Sequence, residues 1–309
     1  MPQGRLTLTS ATPVMGSSVA GATTVYYTPY GGNSVPIYNG TIMVPTVFSQ
    51  LSQDTTDATK SPAACTANAN YDLFVWNDGG TIRCTRGPTW NSGAVAGSNV
   101  ARGTGAGSTE LIFVNGTALN KNAIANGPAA QRGTYVGTIR SNTASTIDYI
   151  FGTSGSGGVA GAFNVWNAYN RVDVGCVVVD TSASYGYTSN TVRQAHASAG
   201  MQVSFVVGLQ EDAVSANYTN VFLLAAVYGA HAAIGLGYDS VTFISSRVFA
   251  ASQAASELVC SPSATGIWNP GIGSHYVAAL EENDGGPSAN TYNFAGGGSV
   301  DGLSFRLRM

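Results

Sequence analysis

Three histidines are the obvious candidates for acid–base or metal chemistry: His196, His231 and His275. No two of them stand at metal-ligand spacing, so no histidine metal site is expected. His231 lies in the apolar run VYGAHAAIG and reads as a satisfied core residue. His196 reads as part of a polar turn, and His275 as the start of a strand. There is no G-x-S-x-G elbow, and no cysteine has a protease context. Gly103-Thr104-Gly105-Ala106-Gly107 has the glycines of a phosphate loop but not the preceding strand, the following helix or the lysine, so it reads as a loop. Glycan cleavage needs a pair of carboxylates. Glu211-Asp212 and Glu281-Glu282-Asn283-Asp284 are the stretches that offer them. Glu281, Glu282 and Asp284 could also offer oxygens to a cation, but adjacent strand residues face opposite ways, so a solvated turn is expected. Asp173 and Asp180 flank a strand and are expected to pair with Arg171 or a neighbouring subunit. The expectation is a protein that is not an enzyme and has no cofactor.

The four cysteines, Cys65, Cys84, Cys176 and Cys260, are widely spaced. Cys176 reads as a small buried apolar residue. The spacing allows a Cys65–Cys84 pair without establishing one.

Aromatic side chains are the remaining candidates for contact with another molecule. Tyr185, Tyr187, Trp268 and Tyr276 fall in or beside expected loops. Such rings offer rigid contact area to a sugar face or to a protein. The alternative is that they cap the edges of a β-sandwich, and the sequence leaves both open.

The surface that would carry these residues is poor in charge. Charged residues make up 9% of the 309, against roughly 25% in an ordinary soluble domain. The net charge of −3 gives no field for a nucleic acid or an anionic membrane. No apolar run reaches the roughly 18 residues of a spanning helix. Neutral faces of Ser, Thr, Asn, Gly and Ala suit close subunit packing, because burying charge is costly. A homo-oligomer, a trimer in the favoured form, is expected. The start, MPQGRLTLTS, has no apolar signal region, so synthesis in the cytoplasm and release by lysis are expected.

Short β-prone runs separated by Gly, Asn and Ser must position all of this. Tyr71–Trp76 and Thr81–Thr85 flank Asn77-Asp78-Gly79-Gly80, and Glu110–Val114 and Ala118–Lys121 flank Asn115-Gly116-Thr117. Both read as hairpins. Pro45–Gln53 is the early stretch with a helical option, and Asn220–Gly237 reads as either a helix or two strands. Val177-Val178-Val179 suggests a strand buried on both faces. The fold class is all-β: a hairpin-rich N-terminal particle-attachment domain over 1–125, a linker at 126–132, and a C-terminal jelly-roll-like β-sandwich over 133–309.

The opening RLTLTSATPVMGSSVAGATTVYYTPYGGNSVPIYNG resembles the start of uncharacterised tailed-bacteriophage and prophage proteins. So do ARGTGAGSTELIFVNGTALNKNAI, GTYVGTIR, WNAYNRVDVGCVVVDTS and VRQAHASAGMQVSFVVGLQEDAV. The resemblance implies a virion component: a tail or head fibre, a receptor-binding protein or a capsid decoration. It carries over no catalytic residue. The leading expectation is a tail or fibre subunit that binds its own copies, other virion proteins and a host-surface glycan or protein. The alternative is a decoration or connector protein without a receptor. A glycan-depolymerising tailspike ranks below both, because no β-helix repeat is present.

Overall fold

A computed structural model of the chain describes residues 1–90, 98–253, 255–286, 289–293 and 302–309. Among these the structure is all-β: 28 strands and a single three-residue 3-10 turn at Ala195–Ala197. Local chemistry explains the tightest turns. Asp78 pairs with Thr81 across Gly79 and Gly80, whose φ angles are +59° and +102°. Val114 pairs with Thr117 across Asn115 (φ 49°) and Gly116 (φ 76°). Positive φ at both central residues matches the twist of the flanking strands, and glycine and asparagine adopt it most readily.

The two ambiguous stretches are strands. Pro45–Gln53 holds the end of Met43–Val47 and most of Leu51–Asp54. Pro45 is tolerated because it sits opposite Pro36 in a two-stranded ribbon, where no neighbouring strand needs its N–H. Asn220–Gly237 contains Phe222–Leu224 and most of His231–Tyr238. A Cβ at Gly235 or Gly237 would strike a neighbouring backbone carbonyl, Ser246 O or Ser240 O, so the small residues here permit close strand approach.

The described strands form six sheets. A six-stranded sheet holds Asn70–Asp78, Thr81–Thr89, Leu111–Val114, Thr117–Asn120, Thr134–Arg140 and Val165–Asn167. An eight-stranded sheet runs from Val19–Ala22 through Ile147–Ile150, Gly161–Phe163, Gln202–Val207, Gly273–Asn283 and His231–Tyr238 to Ser246–Ala251, with Arg193–Gln194 added against Gly273–Asn283. The expected linker at 126–132 does not separate two sheets. Thr134–Arg140, the first strand after it, is hydrogen-bonded between Asn70–Asp78 and Thr117–Asn120. Val19–Ala22 in turn joins the eight-stranded sheet. Strand pairing between distant segments, invisible to local composition, overrides the boundary at that point.

The eight-stranded sheet packs against a five-stranded one built on Asp173–Asp180, Gly302–Arg308, Val214–Thr219 and Ser263–Trp268. Phe305 of the smaller sheet stacks on Phe163 at 6.2 Å and packs tilted against Phe205 at 5.1 Å. Each fully buried phenylalanine contributes about 1.5–3 kcal/mol. Val178 points into this core, while Val177 is 49% exposed. Asp173–Asp180 is therefore covered on one face, not on both. The apolar run reflects β propensity more than burial there.

Several of the scarce charges are internal. The Arg86 guanidinium is buried and donates to the carbonyls of Asp54 (2.9 Å), Asp57 (3.0 Å) and Ala63, clamping the loop after Leu51–Asp54. Arg5 is buried and donates to Pro13 O (3.0 Å), Met309 O (3.1 Å) and Asn170 O, tying the two ends of the chain together. Cys65 and Cys84 are both buried and both free, so no disulfide links them. Cys176 is half-buried rather than enclosed.

Candidate functional site

The four aromatic candidates separate into two places on one long strand, Gly273–Asn283. Tyr185 and Tyr187 gather at its far end. Their short strand Tyr185–Tyr187 pairs with Asn290–Tyr292, and neighbouring Arg193–Gln194 pairs with Gly273–Asn283 so that Arg193 lies opposite Glu281. Glu281 has no exposed surface. Its Oε1 lies 2.6 Å from Arg193 Nε, and its Oε2 accepts a 2.5 Å hydrogen bond from the Tyr185 hydroxyl. Burial pushes the Glu281 carboxyl above its ordinary value despite these two partners. Burial, and then the Glu281 charge, push the Tyr185 hydroxyl up as well.

The Tyr185 ring stacks on His196 at 4.2 Å, and its oxygen accepts the His196 backbone N–H at 3.0 Å. His196 adopts φ 55° and places Nδ1 2.9 Å from Asp180 Oδ2. Asp180 Oδ1 accepts the N–H groups of Gly157 (2.7 Å) and Ser182 (2.8 Å). These bonds outweigh its burial and hold its carboxyl below the usual range. The Arg193 guanidinium lies over the Tyr187 ring at 3.7 Å. Tyr185 and Tyr187 are thus ordered parts of a hydrogen-bonded network that meets solvent through Arg193 and His196, about 30% exposed each.

Trp268 and Tyr276 sit near the other end. Trp268 stacks on Tyr238 at 5.6 Å, which in turn stacks on His275 at 5.5 Å. His275 Nδ1 is 2.8 Å from Asp239 Oδ2, and its Nε2 is 3.0 Å from Gly271 O. Asp239 Oδ1 accepts the Tyr276 N–H at 2.9 Å. At about 3.3 Å per residue, Tyr276 and Glu281 lie roughly 16 Å apart and face opposite sides of the strand. The structure therefore does not bring the four aromatics together.

Most of the candidate carboxylates are engaged by an arginine. Arg171 Nη2 contacts Glu211 at 2.5 Å and its Nη1 contacts Asp212 at 2.8 Å, while Arg247 contacts Glu282 at 2.8 Å. Asp173 pairs with Arg306 at 2.7 Å rather than with Arg171, and Asp180 with His196. Asp284 Oδ1 accepts the Gly286 N–H at 2.7 Å, closing a tight turn. Glu281 and Glu282 face opposite sides, so Glu281, Glu282 and Asp284 do not converge, and among the described residues no cluster of three metal-ligating side chains occurs.

The sequence reading missed an apolar surface. Three strands consecutive in the chain, Ser246–Ala251, Leu258–Cys260 and Ser263–Trp268, are each the outermost strand of a different sheet. They expose Phe249 (56%), Val259 (55%) and Ile267 (71%), with Phe243 (68%) just before them. The first and third are joined by a 2.6 Å bond from Ser246 Oγ to Thr265 O. Unpaired edges with exposed apolar side chains are a ready surface for another chain. The available signal was the scarcity of charge between Phe243 and Trp268, where Arg247 and Glu257 are the charged residues.

No family model and no curated protein matches the chain. Among solved structures, a Bacillus thuringiensis Cry1Da tryptic core variant is similar at 8% identity and a TM-score of 0.20, covering 92% of this chain and 48% of that one. The mosquito-larvicidal Cry4Aa toxin from Bacillus thuringiensis is similar at 8% identity and a TM-score of 0.20, covering 93% and 49%. The chain spans about half the length of these two proteins. A likeness at this score carries no argument.

Proposed function

We propose that this chain is a homo-oligomeric structural subunit of a bacteriophage virion, a tail or fibre component without enzymatic activity, released by lysis and contacting the host surface. The phage assignment comes from the sequence resemblance. The observation that carries the assembly reading is the run of three apolar edge strands around Phe249, Val259 and Ile267. The strands from Gly161–Phe163 onward are shared mainly among the eight-stranded, five-stranded and four-stranded sheets, with repeated crossings between them, which favours a jelly-roll-like arrangement for the second half. Multi-angle light scattering tests the assembly, with a trimer of the 31.6 kDa chain as the expected result. A monomer at micromolar concentration would remove the reading. Competition between the purified protein and phage adsorption tests the host contact.

A decoration or connector protein with no receptor is the second reading. It is favoured by the internal engagement of Tyr185, Tyr187 and Trp268, which are held by their own neighbours. Imaging of labelled virions separates the two: many copies over a capsid support decoration, and a few at a tail tip support receptor binding.

A further inference from the structure

A cleft of about 410 Å³ opens between the ribbon Ser34–Tyr38/Met43–Val47 and the tip of the Asn70–Asp78/Thr81–Thr89 hairpin. That volume falls in the range of small-molecule sites. Arg132 lines it. The guanidinium lies over the Tyr38 ring, 5.5 Å from its centroid. It also packs on Gly40, where φ is +104° and any Cβ would strike it. Two neighbours therefore fix its position, yet among the described residues it makes no ion pair and no hydrogen bond. Every other buried or half-buried cation among them has a polar partner. Asp78, the nearest acid in sequence to the cleft, faces the other way, held by Lys60 and Arg83 at 2.7 Å each.

The rest of the lining shares this character. Asn77 spends its carbonyl on the Gly80 N–H (2.6 Å), and Asn39 spends its own on the N–H groups of Thr41 (2.9 Å) and Ile42 (3.0 Å). Among the described residues neither amide NH2 has a hydrogen-bond partner. The Tyr38 hydroxyl already donates to Gly40 O at 2.8 Å. Ile37 and Val44 supply apolar wall. The cleft thus offers a fixed cationic fork, further N–H donors, an apolar wall and no acid.

We propose that this cleft binds an anionic sugar unit, its carboxylate or sulfate held by Arg132 and its ring and hydroxyl oxygens by the amides of Asn39 and Asn77. A guanidinium fork contacts two oxygens of a carboxylate, or of a tetrahedral oxyanion such as sulfate, at once. Donors without acceptors select a ligand rich in acceptors, and the C–H face of a sugar ring suits the apolar wall. The inference stands apart from the assembly reading, since none of the residues lining the cleft belongs to the three edge strands and the cleft is formed within one chain.

The test is NMR titration of the full chain with glucuronate, glucose 6-sulfate, glucose and N-acetylglutamate. One or both anionic sugars should bind at least tenfold tighter than glucose and N-acetylglutamate, and binding should weaken as salt is raised. Arg132→Gln should weaken binding tenfold or more, and Arg132→Lys should recover only part of it. Val44→Trp, at an exposed position, should block the cleft while leaving Arg132 and the melting temperature unchanged. Equal binding of N-acetylglutamate would overturn the sugar class. Absent binding, or undiminished binding by a folded Arg132→Gln or Val44→Trp variant, would overturn the site.

Discussion

Arg102 Nε lies 2.6 Å from Asp72 Oδ2, and both side chains are buried. The same guanidinium reaches Asp72 Oδ1 (3.1 Å), Gly208 O (2.8 Å) and the Tyr135 hydroxyl (3.2 Å), and lies 4.5 Å from the centre of the Trp90 ring. Thr138 Oγ1 donates to Asp72 Oδ1 at 2.7 Å. One ion pair therefore binds together strands that lie on both sides of residues 126–132.

Arg102→Met should be strongly destabilising, by about 3–5 kcal/mol, because it strands the Asp72 charge in a dry interior. Urea unfolding measures this directly. Pairing it with Asp72→Leu should restore part of the loss, since no uncompensated charge then remains. A single-variant cost near that of a surface substitution would show that water reaches Asp72.

Glu281 should make stability depend on pH in an unusual sense. Its carboxyl is raised above its ordinary 4.5 by burial, so the folded protein takes up this proton before the unfolded chain does. Stability from this group rises as pH falls through the raised value, and the gain is complete below 4.5. Asp180 acts oppositely: it is held below its ordinary 3.8, so its contribution is present above that value and lost as pH falls through the depressed one. Urea midpoints between pH 7 and pH 4.5 should rise for the natural protein relative to Glu281→Gln. Parallel curves for the two proteins would refute the assignment.

Phe249→Lys together with Ile267→Lys should dissociate the assembly without unfolding the subunit. Both side chains are mainly exposed in the isolated chain, so the substitutions remove little core. Light scattering should show the subunit mass, with a melting temperature close to that of the natural chain under conditions where that chain is also dissociated. An unchanged oligomer would move the interface elsewhere.

Thiol chemistry should follow burial. Cys84 is pushed up to about 12 by burial, and Cys65, Cys176 and Cys260 are raised for the same reason. The nucleophile is the thiolate, so Ellman's reagent should react slowly with the native protein at pH 8 and reach four thiols only after denaturation. Reductant should leave the melting temperature unchanged. Fewer than four thiols in the denatured, non-reduced protein would reveal a disulfide.

The sequence by itself determined what short-range chemistry can determine. Gly79-Gly80 and Asn115-Gly116 specify their turns because positive φ is a property of the residues themselves. The β-branched and aromatic runs between such turns specify strands, and hence an all-β chain. Opposite facing of Glu281 and Glu282 follows from the two-residue period alone.

Tertiary structure decided which strands meet and what they cover. Thr134–Arg140 enters a sheet with Asn70–Asp78 rather than opening a new domain, a choice made by hydrogen-bond partners 65 or so positions away. Tyr185 became part of a buried carboxylate network, while Phe249 and Ile267, which are more apolar than tyrosine, were left exposed at sheet edges. Arg132 and Arg102 are the same residue type. One is enclosed with Asp72 and the other faces an open cleft with no acid, because burial and pairing are properties of the neighbours that folding supplies.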